Sequence, residues 1–373
     1  MNCIHSVPMK SHKTAAPPLR FVHSVLFPGI LLWLGEGARA QQDAYFPPSG
    51  TDQVWEKTKP EKAGLKKTKI RQALDLAFAN RSTSIVILHN GRILAEKHLT
   101  PTEIRKLSMG RMWIGTSPRG ESIEDVASVQ KSVASLLVGV AIQKKLLKLD
   151  DPVSRHLPQG WSEASQSVET AITLRHLVTM TSGLDRRLRQ SSPAGQAWQY
   201  NTSAYAQVMK VVESVTGSDR NRVTTDWLGS RIGLQNSRWI KRPGSLGNPF
   251  GFATTARDLA RLGHLVLSQG LWDQDRVYSR TGYFQEMTRS SQKQNPSYGF
   301  LWWLNGKPFS VRAGGVKSSG MILPEAPGDL FFAAGALGGK LYVIPSKKLV
   351  VVRIGGQPTD RQFEKKFWQT LSP

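Results

Sequence analysis

The sequence predicts an α/β (α+β) fold: an antiparallel sheet flanked by helices, with strands from both ends of the chain and a mostly helical region inserted between them. Three observations carry that prediction. An Asn90-Gly91 turn joins two alternating runs near the start, six strand-like runs crowd the stretch after Tyr298, and the interval between them has helical periodicity.

Taken in order, the chain starts with a predicted leader. Lys10, His12, Lys13 and Arg20 precede an apolar run from Phe21 to Leu34, and Ala38-Arg39-Ala40 forms a cleavage site before Gln41. Residues 1–40 are therefore expected to be a signal peptide and the mature protein to be secreted or periplasmic. Residues 41–373 should form one domain, its sheet part about 61–127 and 298–373, its helical part about 128–297. Residues 41–60 read as an extended arm. Ile70, Ala73, Leu74, Ala77 and Phe78 mark a helix from Leu65 to about Asn80. The hairpin follows, Ser84–Leu88 and Arg92–Lys97, and residues 99–125 read as a loop that delivers the chain to Ser128.

From Ser128 to Leu149 no side of the helical pattern suits water before Lys144: Val133, Leu136, Leu137 and Val140 line one face, and Ser132, Ser135, Gly139 and Ile142 the other. This is a buried helix. Further helices are predicted at Thr173–Met180, Ser203–Thr216, Thr224–Gly229 and Thr255–Gln269. Strands follow at 300–304, 309–313, 319–323, 330–334, 340–344 and 349–354, and a helix from Gln362 to about Leu371 ends the chain.

Composition excludes several classes. Of 373 residues one is cysteine, Cys3, and it leaves with the leader, so neither a disulfide framework nor a thiolate metal site is available. The eight histidines form no H-E-x-x-H pair, and no metal or cofactor is expected. The formal charge of +23 is spread along the chain instead of massed with aromatics, which argues against nucleic acid and leaves an anionic envelope surface as a possible partner. Oligomeric state is left open.

The chemistry-bearing pattern is Ser128-x-x-Lys131 at the mouth of the buried helix. Residues three apart on a helix lie about 5–6 Å apart at Cβ, within reach for an amine to take a hydroxyl proton. A second match, Ser290 to Lys293, lies in a polar run before Asn295-Pro296 and reads as a loop. The bland reading of Ser128 is an N-cap with Lys131 as a solvated first-turn charge. Acyl transfer also needs a leaving-group acid and an oxyanion hole. Tyr200, before a helix, and the glycine-rich GALGGKLYVIP stretch can supply them.

With ASVQKS (127–132), ITLRHLVTMTSGL (172–184), the Tyr200 segment, FGFATTARDLARLGHLVL (250–267), SYGFLWWL (297–304) and GALGGKLYVIP (335–345) in this order, the chain resembles the serine β-lactamase-like and penicillin-binding superfamily, in particular its esterase and 6-aminohexanoate-dimer-hydrolase-like branch. The resemblance implies a serine hydrolase acting on a small ester or amide. Ser128 would be the acylated nucleophile, Lys131 its base and Tyr200 the acid/base partner. The N–H groups of Ser128 and Ala336 would form the oxyanion hole, with Thr202 and Gly335 at the substrate. Two positions depart from the family pattern. Tyr-x-Asn becomes Tyr200-Asn201-Thr202, and the third motif becomes Ala333-Ala334-Gly335, which keeps only the glycine. The rival expectation is a silent penicillin-binding-like sensor. His176 and His264 read as hydrogen-bonded helix residues, Arg257-Asp258 as a structural pair, and Trp302 and Trp303 as core or rim aromatics.

Overall fold

The computed structural model describes residues 44–50, 54–107, 110–245 and 247–371. The predicted leader and the predicted cleavage site before Gln41 lie outside the described residues. In chain order the main elements are α1 (Lys67–Ala79), β1 (Ser82–His89), β2 (Arg92–His98), β3 (Trp113–Thr116), β4 (Ser122–Asp125), α2 (Gln130–Gln143), α3 (Thr202–Thr216), β5 (Arg238–Lys241), β6 (Phe250–Thr254), α4 (Ala256–Leu267), β7 (Trp303–Leu304), β8 (Phe331–Ala334), β9 (Lys340–Ile344), β10 (Leu349–Gly355) and α5 (Phe363–Leu371).

The central sheet is antiparallel in the order β2-β1-β10-β9-β8-β7, so strands from the two ends of the chain meet at β1 against β10. Alternation places β1 between two cores. Ile85 and Ile87 face α1 and α5 with Tyr342, Ile344 and Val351, while Val86 and Leu88 join Leu341, Val343, Val350 and Val352 under α4. A strand covered on both faces reads as a continuous apolar run, as STSIVILH does. The hairpin needs its Asn-Gly: both residues have positive φ, 50° and 83°, and a Cβ on Gly91 would lie 1.7 Å from the Tyr45 carbonyl oxygen. That contact belongs to the predicted arm, which is held further where Arg261 donates to the Pro47 and Pro48 carbonyls.

Helix α2 is buried on every side through Ala141. Its hydroxyls do not face water: Ser132 donates to the Leu301 carbonyl at 2.8 Å and Ser135 to that of Phe300 at 2.6 Å. The helix ends six residues before the predicted Leu149, with Lys145 left-handed at φ 61°.

Three further expectations differ from the structure. The runs predicted as strands at 309–313 and 319–323 form a separate two-stranded hairpin, Phe309–Val311 with Lys317–Ser319, outside the central sheet. The predicted loop over 99–125 contains a capped helix at Pro101–Lys106 and the strands β3 and β4, and the predicted helical block contains β5 and β6. Together they form a second antiparallel sheet, β3-β4-β6-β5. Each of its strands has only four or five residues, too few for a periodic pattern, and its β4–β6 pairing joins residues well over a hundred positions apart.

Candidate active site

Ser128 lies in a single 3-10 turn, Ala127–Val129, between β4 and α2. Ala127 has φ 49°, a left-handed conformation uncommon for a residue with a Cβ, and its N–H donates to Asp125 Oδ1 at 3.0 Å. The serine is not an N-cap, because no side chain caps either this turn or α2. Its Oγ instead accepts from Lys131 Nζ at 3.0 Å.

Lys131 is 1 % exposed, which rules out the solvated first-turn charge. Its amine also donates to Thr202 Oγ1 at 3.3 Å and lies 4.9 and 4.6 Å from the ring centroids of Tyr200 and Tyr205. Burial first, and the charge of Arg242 second, lower the amine from 10.5 to about 7. Tyr200 is half-buried at the end of the loop before α3. Burial pushes its phenol up to about 12, against a smaller lowering from its hydrogen bond with Ser128. Its ring stacks on Trp303, with centroids 5.9 Å apart and planes at 18°, so Trp303 lines the site while Trp302 is core.

The loop carrying Tyr200 is fixed by Asn201, which caps α3 through the N–H groups of Ser203 and Ala204 and donates to the Leu184 and Asp185 carbonyls at 2.7 and 2.8 Å. That leaves Thr202, the first residue of the helix, to meet the amine. Gly335 ends β8 against the Ser128 turn, where a Cβ would lie 2.2 Å from the Val126 carbonyl oxygen. No larger residue fits. Ala336, the next residue, is exposed and opens a 3-10 turn. Ala333 is buried and Ala334 half-buried in β8.

Ser128, Lys131, Tyr200 and Thr202 thus stand around one amine, with Gly335 against the turn that carries the serine. The rival motif does not: Ser290 is exposed and donates to the Pro296 carbonyl at 2.7 Å. His264 is buried and donates to the Tyr45 carbonyl at 2.9 Å, and burial lowers its imidazole to about 4. His176 closes a capping box with Thr173. Arg257 and Asp258 are structural but do not pair with each other: Arg257 binds Glu96 and Glu121, while Asp258 accepts from the N–H groups of Gln235 and Asn236 and from the Ser237 hydroxyl. Sequence reasoning missed Asp125 and Arg242, while Tyr205, the nearest competitor of Tyr200 in the sequence, falls in the following helix as its pattern suggests. For Asp125 and Arg242 no local pattern signals the role, since they lie 117 positions apart.

Comparison with known proteins agrees with this fold. The sequence profile of the beta-lactamase family matches residues 72–366. An uncharacterized protein of Alkalihalophilus pseudofirmus is 25% identical over 303 residues, covering 72% of this chain and 82% of its own. In structure, a Bacillus anthracis protein described as a 6-aminohexanoate-dimer hydrolase superposes with a TM-score of 0.62 at 14% identity, over 91% of this chain and 94% of that one. EstCE1, a hydrolase with promiscuous acyltransferase activity, superposes with a TM-score of 0.60 at 17% identity, over 82% and 97%.

Proposed function

The chain belongs to the beta-lactamase family, and from that premise we propose that it is an exported serine hydrolase that cleaves a small ester or amide through an acyl-enzyme on Ser128. The observation that carries the reading is the fully buried Lys131 amine, 3.0 Å from Ser128 Oγ and about half neutral near pH 7. A neutral amine can take the serine proton as Oγ attacks the substrate carbonyl. The oxyanion that forms would rest on the N–H groups of Ser128 and Ala336, donors whose loss typically costs about 3–4 kcal/mol. Tyr200, held protonated by burial, would donate to the leaving group as the tetrahedral intermediate collapses. Water would then attack the ester on Ser128, with its proton passing back through Tyr200 and Lys131. Trp303 against Tyr200, with the methyl group of half-buried Ala334, favours a neutral, apolar substrate over an anionic one. The leader over 1–40 is the support for export to the periplasm or beyond.

Incubation of the pure protein with a fluorophosphonate probe, followed by peptide mapping, tests the reading. Wild type and Ser290→Ala should be labelled on Ser128, and Ser128→Ala should lose both the label and hydrolysis of an activated ester. An unlabelled wild type would favour a silent binding or sensing protein.

A further inference from the structure

The turn that presents Ser128 is strained, and what holds it is a buried ion pair. Asp125, the last residue of β4, is 4 % exposed. One oxygen of its carboxylate accepts the Ala127 N–H, and the guanidinium of Arg242 donates to both oxygens through Nε and Nη2. Arg242 follows β5 directly and is tied by its own N–H to the Pro249 carbonyl at 2.7 Å. Gly251 on β6 lies between the partners: a Cβ there would be 2.3 Å from Asp125 Oδ2 and 2.6 Å from Arg242 Nε. The second sheet thus brings a carboxylate, an arginine and a side-chain-free space to one point behind the nucleophile.

We propose that Asp125 and Arg242 are positioning residues, a clamp that keeps Ala127 in its left-handed conformation and so aims Ser128 at the substrate. The proposal rests on the hydrolase reading above and adds to it. A left-handed alanine is strained and persists only where its surroundings over-determine it. A buried carboxylate accepting the Ala127 N–H supplies that constraint, and the bidentate arginine pairs with the carboxylate and fixes its orientation. Loosening the pair would let the turn relax and swing Oγ away from Lys131. A displacement of about 1 Å at a reacting group can cost on the order of 10²-fold in rate.

The pair also sets the charge felt by the Lys131 amine. Around that amine stand Ser128 and Thr202, the rings of Tyr200 and Tyr205, Tyr298 behind Tyr200, and the Arg242 cation. Removing the cation leaves the Asp125 anion uncompensated and favours the ammonium. Removing the anion leaves the cation uncompensated and favours the free amine. The two substitutions therefore act on the base with opposite signs, which a merely structural role would not produce.

The test uses the full mature chain and compares wild type, Asp125→Asn, Arg242→Gln and Arg242→Lys. The readouts are fluorophosphonate labelling of Ser128, thermal melting, and kcat and KM on p-nitrophenyl acetate across pH 5.5–9.5. Arg242→Gln should lower kcat about 10-fold to 10²-fold with KM within about 2-fold, and should move the ascending limb of the pH profile to higher pH. Arg242→Lys should recover part of kcat and return the limb toward wild type. Asp125→Asn, isosteric and still able to accept the Ala127 N–H, should move the limb to lower pH, and it carries the test if Arg242→Gln does not fold. Labelled wild type with variants whose kcat and limbs match it, or whose limbs move in one direction, would overturn the clamp alone. A wild type that is never labelled would overturn the hydrolase reading and the clamp with it.

Discussion

Replacing Lys131 by methionine should abolish turnover and yet make the protein more stable at neutral pH. The amine is fully buried, and loss of water together with the Arg242 charge brings it from 10.5 to about 7. In the unfolded chain it regains its ordinary affinity for the proton. At pH 7 that difference costs the folded state roughly 4 kcal/mol. Methionine fills a similar volume without the charge. Against the gain stand the hydrogen bonds to Ser128 and Thr202, each a net contribution of about 1 kcal/mol. The balance is about 2 kcal/mol in favour of the variant at pH 7. The sign reverses with pH. Above 10.5 the lysine is neutral in both states and carries no penalty. As pH falls from 10.5 to 7 the unfolded chain takes up the proton and the folded chain does not, so wild type loses stability over that window, and below 7 the loss stays constant. Urea unfolding of wild type and Lys131→Met, followed by tryptophan fluorescence at pH 6, 7, 8.5 and 10, measures this directly. The variant should lead at pH 6 and 7, and the lead should shrink or invert by pH 10. A gap of either sign that is independent of pH would refute the argument, because the lysine would then not titrate between the two states as its burial requires.

The same shift shapes activity. The neutral fraction of Lys131 rises from about 0.09 at pH 6 to about 0.91 at pH 8, so kcat/KM for a neutral ester should climb roughly tenfold across that interval, with no fall near neutrality because Tyr200 stays protonated to about 12. Lys131→Arg should be about as inactive as Lys131→Ala, since a guanidinium does not release its proton in this range; full activity of the arginine variant in a steady-state assay would reduce Lys131 to an electrostatic group. Activated short-chain esters should be hydrolysed far faster than a chromogenic cephalosporin, whose carboxylate would meet the methyl group of half-buried Ala334 and lose hydration at a cost of a few kcal/mol. Equal kcat/KM values for the two substrates would show a carboxylate contact elsewhere. Mass spectrometry of protein from the native host should find an N-terminus at or near Gln41, and intact Met1 would overturn export.

Much of this protein is written in local spacing. The Asn90-Gly91 hairpin follows from two residues that tolerate positive φ between β-branched runs. The α2 helix follows from apolar residues on all its sides, and the Ser128–Lys131 pair from a separation of three on a helix, which the backbone alone converts into proximity. These readings use interactions within a few residues, and local sequence is enough for them. The small sheet could not be read that way, because strands of four or five residues from 113–125 and 238–254 acquire meaning only when paired. Nor could the conformation of Ser128: a helix start with a serine suggests a cap, whereas the left-handed Ala127 is imposed by Asp125 and, through it, by Arg242. The same division applies to the chemistry. Spacing determines that an amine stands beside a hydroxyl, but whether that amine is a solvated ammonium or a base near pH 7 depends on burial and on an arginine distant in sequence. Desolvation and charge act through space, so only the tertiary structure decides them.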